Sequence, residues 1–218
     1  LSGDKKLIEI FKLGEDVHTS AASLVFGIPK ESVTKEMRRK AKVINFGILY
    51  GMGVNALAQN LGSDRKEAQE FYNAYFDKFA GLAVYLDNIK RETNERGYTQ
   101  TIFGRRRYFE GIKSHIPYIR AGAERMAINA PIQGSSADII KLAMIKIDEW
   151  IKKEKLDDKV CLLLQIHDEL IFEIEDGLIE KAGAQIKKIM ETVLTPEQTK
   201  GVPIIVNSAI GLNWGNLE

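Results

Sequence analysis

The segment that decides the fold reads Arg38-Arg39-Lys40-Ala41-Lys42-Val43-Ile44-Asn45-Phe46-Gly47-Ile48-Leu49-Tyr50-Gly51. Four of its side chains are spaced four residues apart, namely the cations Arg38 and Lys42 and the aromatic residues Phe46 and Tyr50. A step of four residues advances by about 40° around an α-helix, so these side chains form a slowly winding stripe along one side. The sequence therefore predicts a helix from Lys35 to Gly51 with one chemically distinct face.

The chemistry of this stripe suits a nucleoside triphosphate. Arginine meets phosphate oxygens as a fork and lysine meets them as a point charge, which Arg38 and Lys42 could both do. The aromatic ring of Phe46 offers a face for a sugar or a base. An ordinary amphipathic helix with solvated cations has the same spacing, and spacing alone leaves both interpretations open.

A second motif is the tripeptide His167-Asp168-Glu169, which lies between the apolar runs 160–165 and 170–174. Two short apolar runs around a polar turn are typical of a β-hairpin. Adjacent carboxylates at a hairpin tip repel each other, and a hard cation such as Mg²⁺ relieves that repulsion. A polar turn that bonds only its own backbone is the alternative interpretation.

A third motif repeats long polar side chains every four residues, at Arg125, Asn129 and Gln133. Asparagine and glutamine can donate to and accept from base edges in a minor groove, and arginine can add a phosphate contact. The flank of a solvated helix would show the same pattern. Earlier in the sequence, Thr101 and Gly104 beside the basic run 105–107 indicate a turn that could bind a nucleic-acid backbone.

Composition bounds the remaining possibilities. The 218 residues are 44 % apolar, enough for one large or two small packed lobes, and the net charge is only +1. No run approaches the roughly 18 apolar residues of a transmembrane helix. The first residues contain neither a signal segment nor an initiator methionine, so we expect a piece of a longer protein. A single cysteine cannot form an internal disulfide, so we expect a cytoplasmic protein in a reducing compartment. The single cysteine, Cys161, lies in an apolar run and is expected in the core.

Hydrophobic periodicity predicts a helical lobe followed by a smaller sheet with packed helices. In the helical part, 98–108 is expected to be strand or loop, and Pro131 and Gly134 are expected to interrupt a long helix that restarts near Ser136. The remaining expected elements are helices over 63–79 with Ser63 as N-cap, 82–96, 119–130 and 178–193, and strands over 160–165, 170–174 and 202–210.

Taken together and in this order, the motifs resemble those of the A-family DNA polymerases over essentially the whole chain. The stretch 38–51 is similar to the family's fingers-helix motif, and 165–170 to its last catalytic motif. The segment Glu124–Gly134 resembles the family's primer and minor-groove segment, and Thr101–Arg106 its Thr-x-x-Gly-Arg-Arg element. The closing Asn213-Trp214 also matches.

The resemblance implies a role for each candidate residue. The side chains expected to bind the incoming dNTP are His18, Arg38, Lys42, Phe46 and Tyr50. Those expected to contact primer-template DNA are Arg105, Arg106, Arg125, Asn129, Gln133 and His167. Asp168 and Glu169 are expected to bind two Mg²⁺ ions and, with Lys42, to act in catalysis.

The implied fold class is α+β, with helical fingers over residues 1–124 and the C-terminal part of a palm over 125–218. The implied function is template-directed transfer of nucleotides from dNTPs to a primer 3′-hydroxyl, and no membrane partner is implied. The family's other catalytic aspartate precedes a stretch similar to Leu1-Ser2-Gly3-Asp4. We therefore expect an upstream segment or a separate chain to supply that aspartate and the thumb.

Two alternatives stay open at this point. A single-subunit RNA polymerase of the phage type shares the lysine-to-Tyr-Gly helix and a His-Asp turn, although the pair Asp168-Glu169 favours a DNA polymerase. A fragment that binds nucleotide or DNA without performing chemistry is the other alternative.

Overall fold

Helices dominate the computed structural model, which describes residues 1–217. The chain divides into two compact units, Leu1–Ser135 and a second that begins at Ser136. The helices that lie within the first unit are α1 (Lys5–Lys12), α2 (Val17–Phe26), α3 (Lys35–Leu49), α4 (Val54–Leu61), α5 (Arg65–Lys78) and α6 (Ala80–Arg96).

The core of the first unit lies among helices α2 to α6 and is rich in aromatic residues. Tyr75, Phe79, Ile44 and Leu57 are almost completely buried in it. Helix α3 begins where the Thr34 hydroxyl accepts a hydrogen bond from the Met37 amide at 3.2 Å. The predicted helix is thus confirmed, and its inner face anchors it in this core.

A short hairpin follows α6, which ends at Gly97 with a left-handed φ of +80°. Strands β1 (Tyr98–Gln100) and β2 (Arg106–Tyr108) pair antiparallel. The Gly104 amide donates to the Thr101 carbonyl at 2.9 Å, and Gly104 also has a φ of +80°. The segment expected to be strand or loop is therefore a two-stranded hairpin with a glycine-dependent turn.

Helix α7 (Pro117–Glu154) contributes to both units, and the expected interruption at Pro131 is wrong. A proline inside a helix costs about 3 kcal/mol or more. Here Pro131 and its neighbour Ala130 are buried, so packing offsets that cost. Gly134 forms no turn, and its missing side chain lets Thr101 approach the helix closely, because a Cβ at Gly134 would lie 2.7 Å from Thr101 Cγ2.

The second unit contains the predicted carboxylate hairpin. Strands β3 (Val160–Ile166) and β4 (Glu169–Ile174) pair antiparallel, with a register shift between Leu162 and Leu164. Helices α8 (Ile179–Glu191) and α9 (Pro196–Thr199) follow. Val160 at the start of β3 is buried in one cluster with residues of the neighbouring helices, namely Ile147, Ile151, Ala182 and Ile186. With two small antiparallel sheets and many helices, the α+β class is confirmed.

Three local predictions are wrong. The segment 202–210 forms no strand, because the sheet of the second unit comprises only β3 and β4 within residues 1–217. Cys161 is exposed rather than buried, and its thiol lies 3.6 Å from the Asp157 carbonyl. Helix α5 is capped by Asp64 instead of Ser63, since the Asp64 carboxylate accepts from the Glu67 amide at 2.8 Å.

The exposure of β3 explains the error at Cys161. A continuous apolar run predicts a strand covered on both faces. In residues 1–217, however, Leu162, Leu163 and Leu164 are exposed by 37 %, 53 % and 44 %. Burial depends on which elements pack against a strand, and a local pattern does not contain that information.

No helix within residues 1–217 is both long enough and apolar enough to cross a lipid bilayer.

Candidate functional site

Helix α3 presents the predicted stripe on its outer face. Arg38 and Lys42 are exposed, and Phe46 and Tyr50 expose 49 % and 56 % of their surface. The opposite face packs into the core through Ala41, Ile44 and Ile48. Large aromatic side chains normally bury most of their surface, so two exposed rings beside two cations form a surface suited to an aromatic, anionic ligand.

Arg38 is held by Asp16, a residue that the sequence analysis did not single out. The guanidinium donates from Nε to Oδ1 at 3.1 Å and from Nη2 to Oδ2 at 2.8 Å. The arginine holds the pKa of Asp16 well below its usual range, and the Thr19 amide adds a further hydrogen bond. An exposed pair of this kind adds little stability, so its main effect is to orient Arg38. The position of Asp16 as the N-cap before α2 was the available signal.

His18 reaches the same face from the first turn of α2. Its ring lies 5.5 Å from the Phe46 ring, centroid to centroid, and its Nδ1 lies 3.0 Å from the Asn45 amide nitrogen. Burial lowers the pKa of His18; Arg38 and Lys42 lower it further, and Asp16 opposes them. A neutral imidazole whose Nδ1 accepts from Asn45 carries its proton on Nε2. Asn45 is a second residue that the sequence analysis missed, although it directly precedes Phe46.

The polar stripe of α7 meets the C-terminal end of α3 within the first unit. The Asn129 side-chain amide donates to the Leu49 carbonyl at 3.0 Å, and Gln133 Nε2 lies 3.5 Å from the Tyr50 hydroxyl. Gly51 has a φ of +66°, and a Cβ there would lie 2.8 Å from Arg125 Cγ. Two motifs that are about eighty residues apart in sequence therefore form one continuous polar surface.

The hairpin turn adds basic side chains beside this surface. Arg105 donates from Nη2 to the Gly134 carbonyl at 3.1 Å, and the Arg106 guanidinium lies 4.6 Å from the centre of the Tyr98 ring. A small cleft of about 100 Å³ includes Arg105, Arg106 and Gln133 in its lining. The predicted residues of the hairpin and of α7 are therefore neighbours.

The carboxylate turn belongs to the second unit. His167 has a left-handed φ of +52°, and the Gln165 side-chain amide donates to its carbonyl at 2.7 Å, which fixes the turn. Asp168 and Glu169 are both exposed. Within residues 1–217 no group of three or more His, Cys, Asp or Glu side chains is arranged to hold a metal ion. The turn thus offers two adjacent carboxylates, a partial set of the oxygen ligands that Mg²⁺ prefers.

Comparison with known proteins gives a consistent result. A family model described as DNA polymerase family A matches residues 1–216. DNA polymerase I of Rhizobium leguminosarum is 45 % identical over 96 % of this chain and 21 % of that protein. The thermostable DNA polymerase I of Thermus aquaticus is 42 % identical over 98 % of this chain and 25 % of that protein. This chain thus spans about a fifth to a quarter of the length of these relatives.

A solved structure shares the fold. The POL domain of Pol1 from M. smegmatis, in complex with a DNA primer-template and dNTP, superposes with a TM-score of 0.86 at 41 % identity. The match covers 93 % of this chain and 35 % of that one.

Proposed function

Because this chain belongs to DNA polymerase family A, we propose that it provides the nucleotide-binding surface and part of the catalytic site of a template-directed DNA polymerase. The observation that carries this proposal is the meeting of the α3 stripe with the α7 stripe in the first unit. Such a surface can contact an incoming dNTP and the nascent base pair together, as templated synthesis requires. The family match also disfavours the RNA polymerase alternative.

The triphosphate is assigned to the N-terminal half of the α3 stripe. Arg38 and Lys42 supply positive charge, and His18 adds a donor at Nε2 when Asn45 occupies Nδ1. Lys42 Nζ lies 6.0 Å from the centre of the Phe46 ring, so phosphate and sugar contacts would follow each other along the helix. Phe46 is assigned to the sugar and Tyr50 to the template-base position.

The nascent duplex is assigned to α7 and the hairpin. Gln133 and Arg125 are exposed and can reach base edges and phosphates. Asn129 already donates to the Leu49 carbonyl, so its contribution is partly to hold α3 and α7 together. Arg105 and Arg106 are assigned to the DNA backbone.

The metal ions are assigned to Asp168 and Glu169, with His167 near the primer end. Two Mg²⁺ ions would supply activation of the 3′-hydroxyl and stabilisation of the departing pyrophosphate. Two carboxylates fit such ions as a partial ligand set, so further oxygen ligands have to come from phosphates, water and another carboxylate. We assign that carboxylate and the thumb to an upstream segment or separate chain, residues 1–124 to the fingers and 125–218 to the palm.

Primer extension tests this proposal. A primed DNA template, Mg²⁺ and four dNTPs are incubated with this chain alone and with a polypeptide that carries the family's upstream aspartate motif. We expect extension in the mixture, no extension with Asp168→Asn, and strong preference for deoxyribonucleotides over ribonucleotides. Extension by the chain alone would contradict the need for an upstream carboxylate. DNA binding without extension in either reaction would favour a non-catalytic fragment.

A further inference from the structure

A second basic surface lies in the first unit, and none of the residues that line it has been assigned a role above. It is a cleft of about 510 Å³ between α6, the 3-10 turn Glu110–Lys113 and the start of α7. Ile112 is buried at this cleft. The titratable residues that line it are Lys90, Arg91, Lys113, His115, Arg120 and Glu124.

The cleft carries an excess of positive charge that its own surroundings neutralise only in part. Lys90 approaches Asp87 no closer than 3.9 Å, beyond hydrogen-bond distance, and Arg91 donates to the neutral amide of Asn88 at 2.8 Å. Lys113 and Arg120 are exposed. Glu124 is the one carboxylate in the lining. Four cations converging on a space of this size favour a multiply charged anion.

The position of the cleft on α7 separates it from the duplex surface. Arg120 and Asn129 are nine residues apart, which corresponds to about 180° around the helix. Arg120 therefore lies on the opposite side of α7 from Asn129. The cations of the cleft therefore lie on a different side of α7 from the Arg125-to-Gln133 stripe.

We propose that this cleft binds backbone phosphates of the DNA, as a second contact surface that extends the footprint beyond the Arg125-to-Gln133 stripe. The inference rests on the proposed function, because DNA is the polyanion which that function brings to α7. Lys and Arg contacts to phosphate release condensed counterions, so binding through the cleft has a measurable salt dependence. The competing hypothesis is that the cleft binds an acidic protein segment. In that case substitutions in the cleft would not change the affinity for DNA.

The test compares two double variants of this chain that remove the same charges. Lys113→Gln with Arg120→Gln alters the cleft, whereas Arg65→Gln with Lys66→Gln alters an exposed site at the start of α5. Affinity for a fluorescent primer-template is measured by anisotropy from 50 to 200 mM salt. Each lost phosphate contact should reduce the slope of log K against log salt by about 0.9 for duplex or about 0.7 for single-stranded DNA.

We expect the slope of log K against log salt to be smaller in magnitude by about 1.4 to 1.8 for the cleft variant than for the wild type. Between 50 and 200 mM salt, the fold-decrease in affinity should therefore be about ten times smaller for the cleft variant. The α5 variant should match the wild type. Repeating the titration with a blunt duplex identifies the strand: a difference confined to templates with a 5′ overhang assigns the phosphates to single-stranded template, and an equal difference assigns them to duplex.

Equal slopes for the wild type and the cleft variant, or equal losses in both double variants, would overturn the proposal while leaving the proposed function intact. A wild-type chain that binds no primer-template at all would instead contradict the proposed function. Circular dichroism and thermal unfolding of each variant check that the fold is unchanged. All four substituted residues are exposed, so their replacement should not disturb the core.

Discussion

The surface proposed to bind nucleotide in the first unit and the carboxylate turn of the second are organised in opposite ways. On the first, Arg38 is oriented by Asp16, His18 by Asn45, and the two stripes are joined through Asn129. On the second, Asp168 and Glu169 are exposed, and the ion pairs within residues 1–217 do not include them. The side chains of the first surface are oriented by partners in their own unit, whereas the two carboxylates of the turn are open to solvent.

This contrast has a physical cause. Cations that bind phosphate can be held by weak surface pairs and released to a stronger ligand, because an exposed pair contributes only about 0–1 kcal/mol. Carboxylates that bind Mg²⁺ must stay charged and open, since the metal ion itself neutralises them. In the absence of Mg²⁺ the first surface should therefore bind nucleotide without the second, and the second should affect the chemical step.

The largest expected effect is that of Asp168→Asn. Metal-ion stabilisation contributes several kcal/mol, so primer extension in the mixture with the upstream polypeptide should fall by about 10³-fold or more. Binding of dNTP to this chain in the absence of Mg²⁺ should not change, because the proposed phosphate contacts without metal come from Arg38 and Lys42. Asp158→Asn, an exposed carboxylate just before β3, is the matched control and should extend normally. Normal extension by Asp168→Asn would remove the turn from the catalytic site.

The next effect is that of Lys42→Gln on nucleotide affinity. A hydrogen bond to a charged group contributes about 1.5–3 kcal/mol, so the affinity of this chain for dNTP should fall roughly 10- to 100-fold. Lys35→Gln, at the exposed start of the same helix, should bind like the wild type. Calorimetric titration measures both, and equal affinities would show that the α3 stripe is not the triphosphate surface.

A smaller effect is expected where the two stripes join. Gly51→Ala places a Cβ against Arg125 at a left-handed φ, which should lower the free energy of unfolding by about 1–2 kcal/mol. Gly53→Ala is the control, because a Cβ there meets nothing within 4 Å and its φ is −92°. Urea unfolding of both variants measures their free energies of unfolding. Equal stability would mean that the contact between α3 and α7 is loose.

The smallest effect concerns protonation of His18. Its lowered pKa keeps it neutral at pH 7, and a bound triphosphate favours the imidazolium, so binding near pH 6.5 should take up a fraction of a proton. Calorimetry in two buffers of different ionisation enthalpy measures the uptake, and His18→Gln should abolish it. Heats that do not depend on the buffer would place His18 away from the phosphates.

In the absence of ligand, the stability contribution of His18 is present above its unfolded pKa of about 6.5 and declines as the pH falls.

Sequence reasoning located both surfaces because their chemistry is local. A four-residue repeat is enough to align Arg38 with Lys42 on a helix, and two apolar runs around a polar tripeptide are enough to define a hairpin. It did not find Asp16 or Asn45, whose importance arises only from the side chain that each one contacts across space.

What the sequence determined by itself was the family, helix α3 with its stripe, and the carboxylate hairpin, since these follow from the order and spacing of side chains. What only the tertiary structure decided was burial and continuity. Helix α7 passes through Pro131 because packing offsets a lost hydrogen bond, and Cys161 is exposed because burial requires a neighbouring element. The segment 202–210 forms no strand because a strand needs a partner, and pairing is a property of the whole fold.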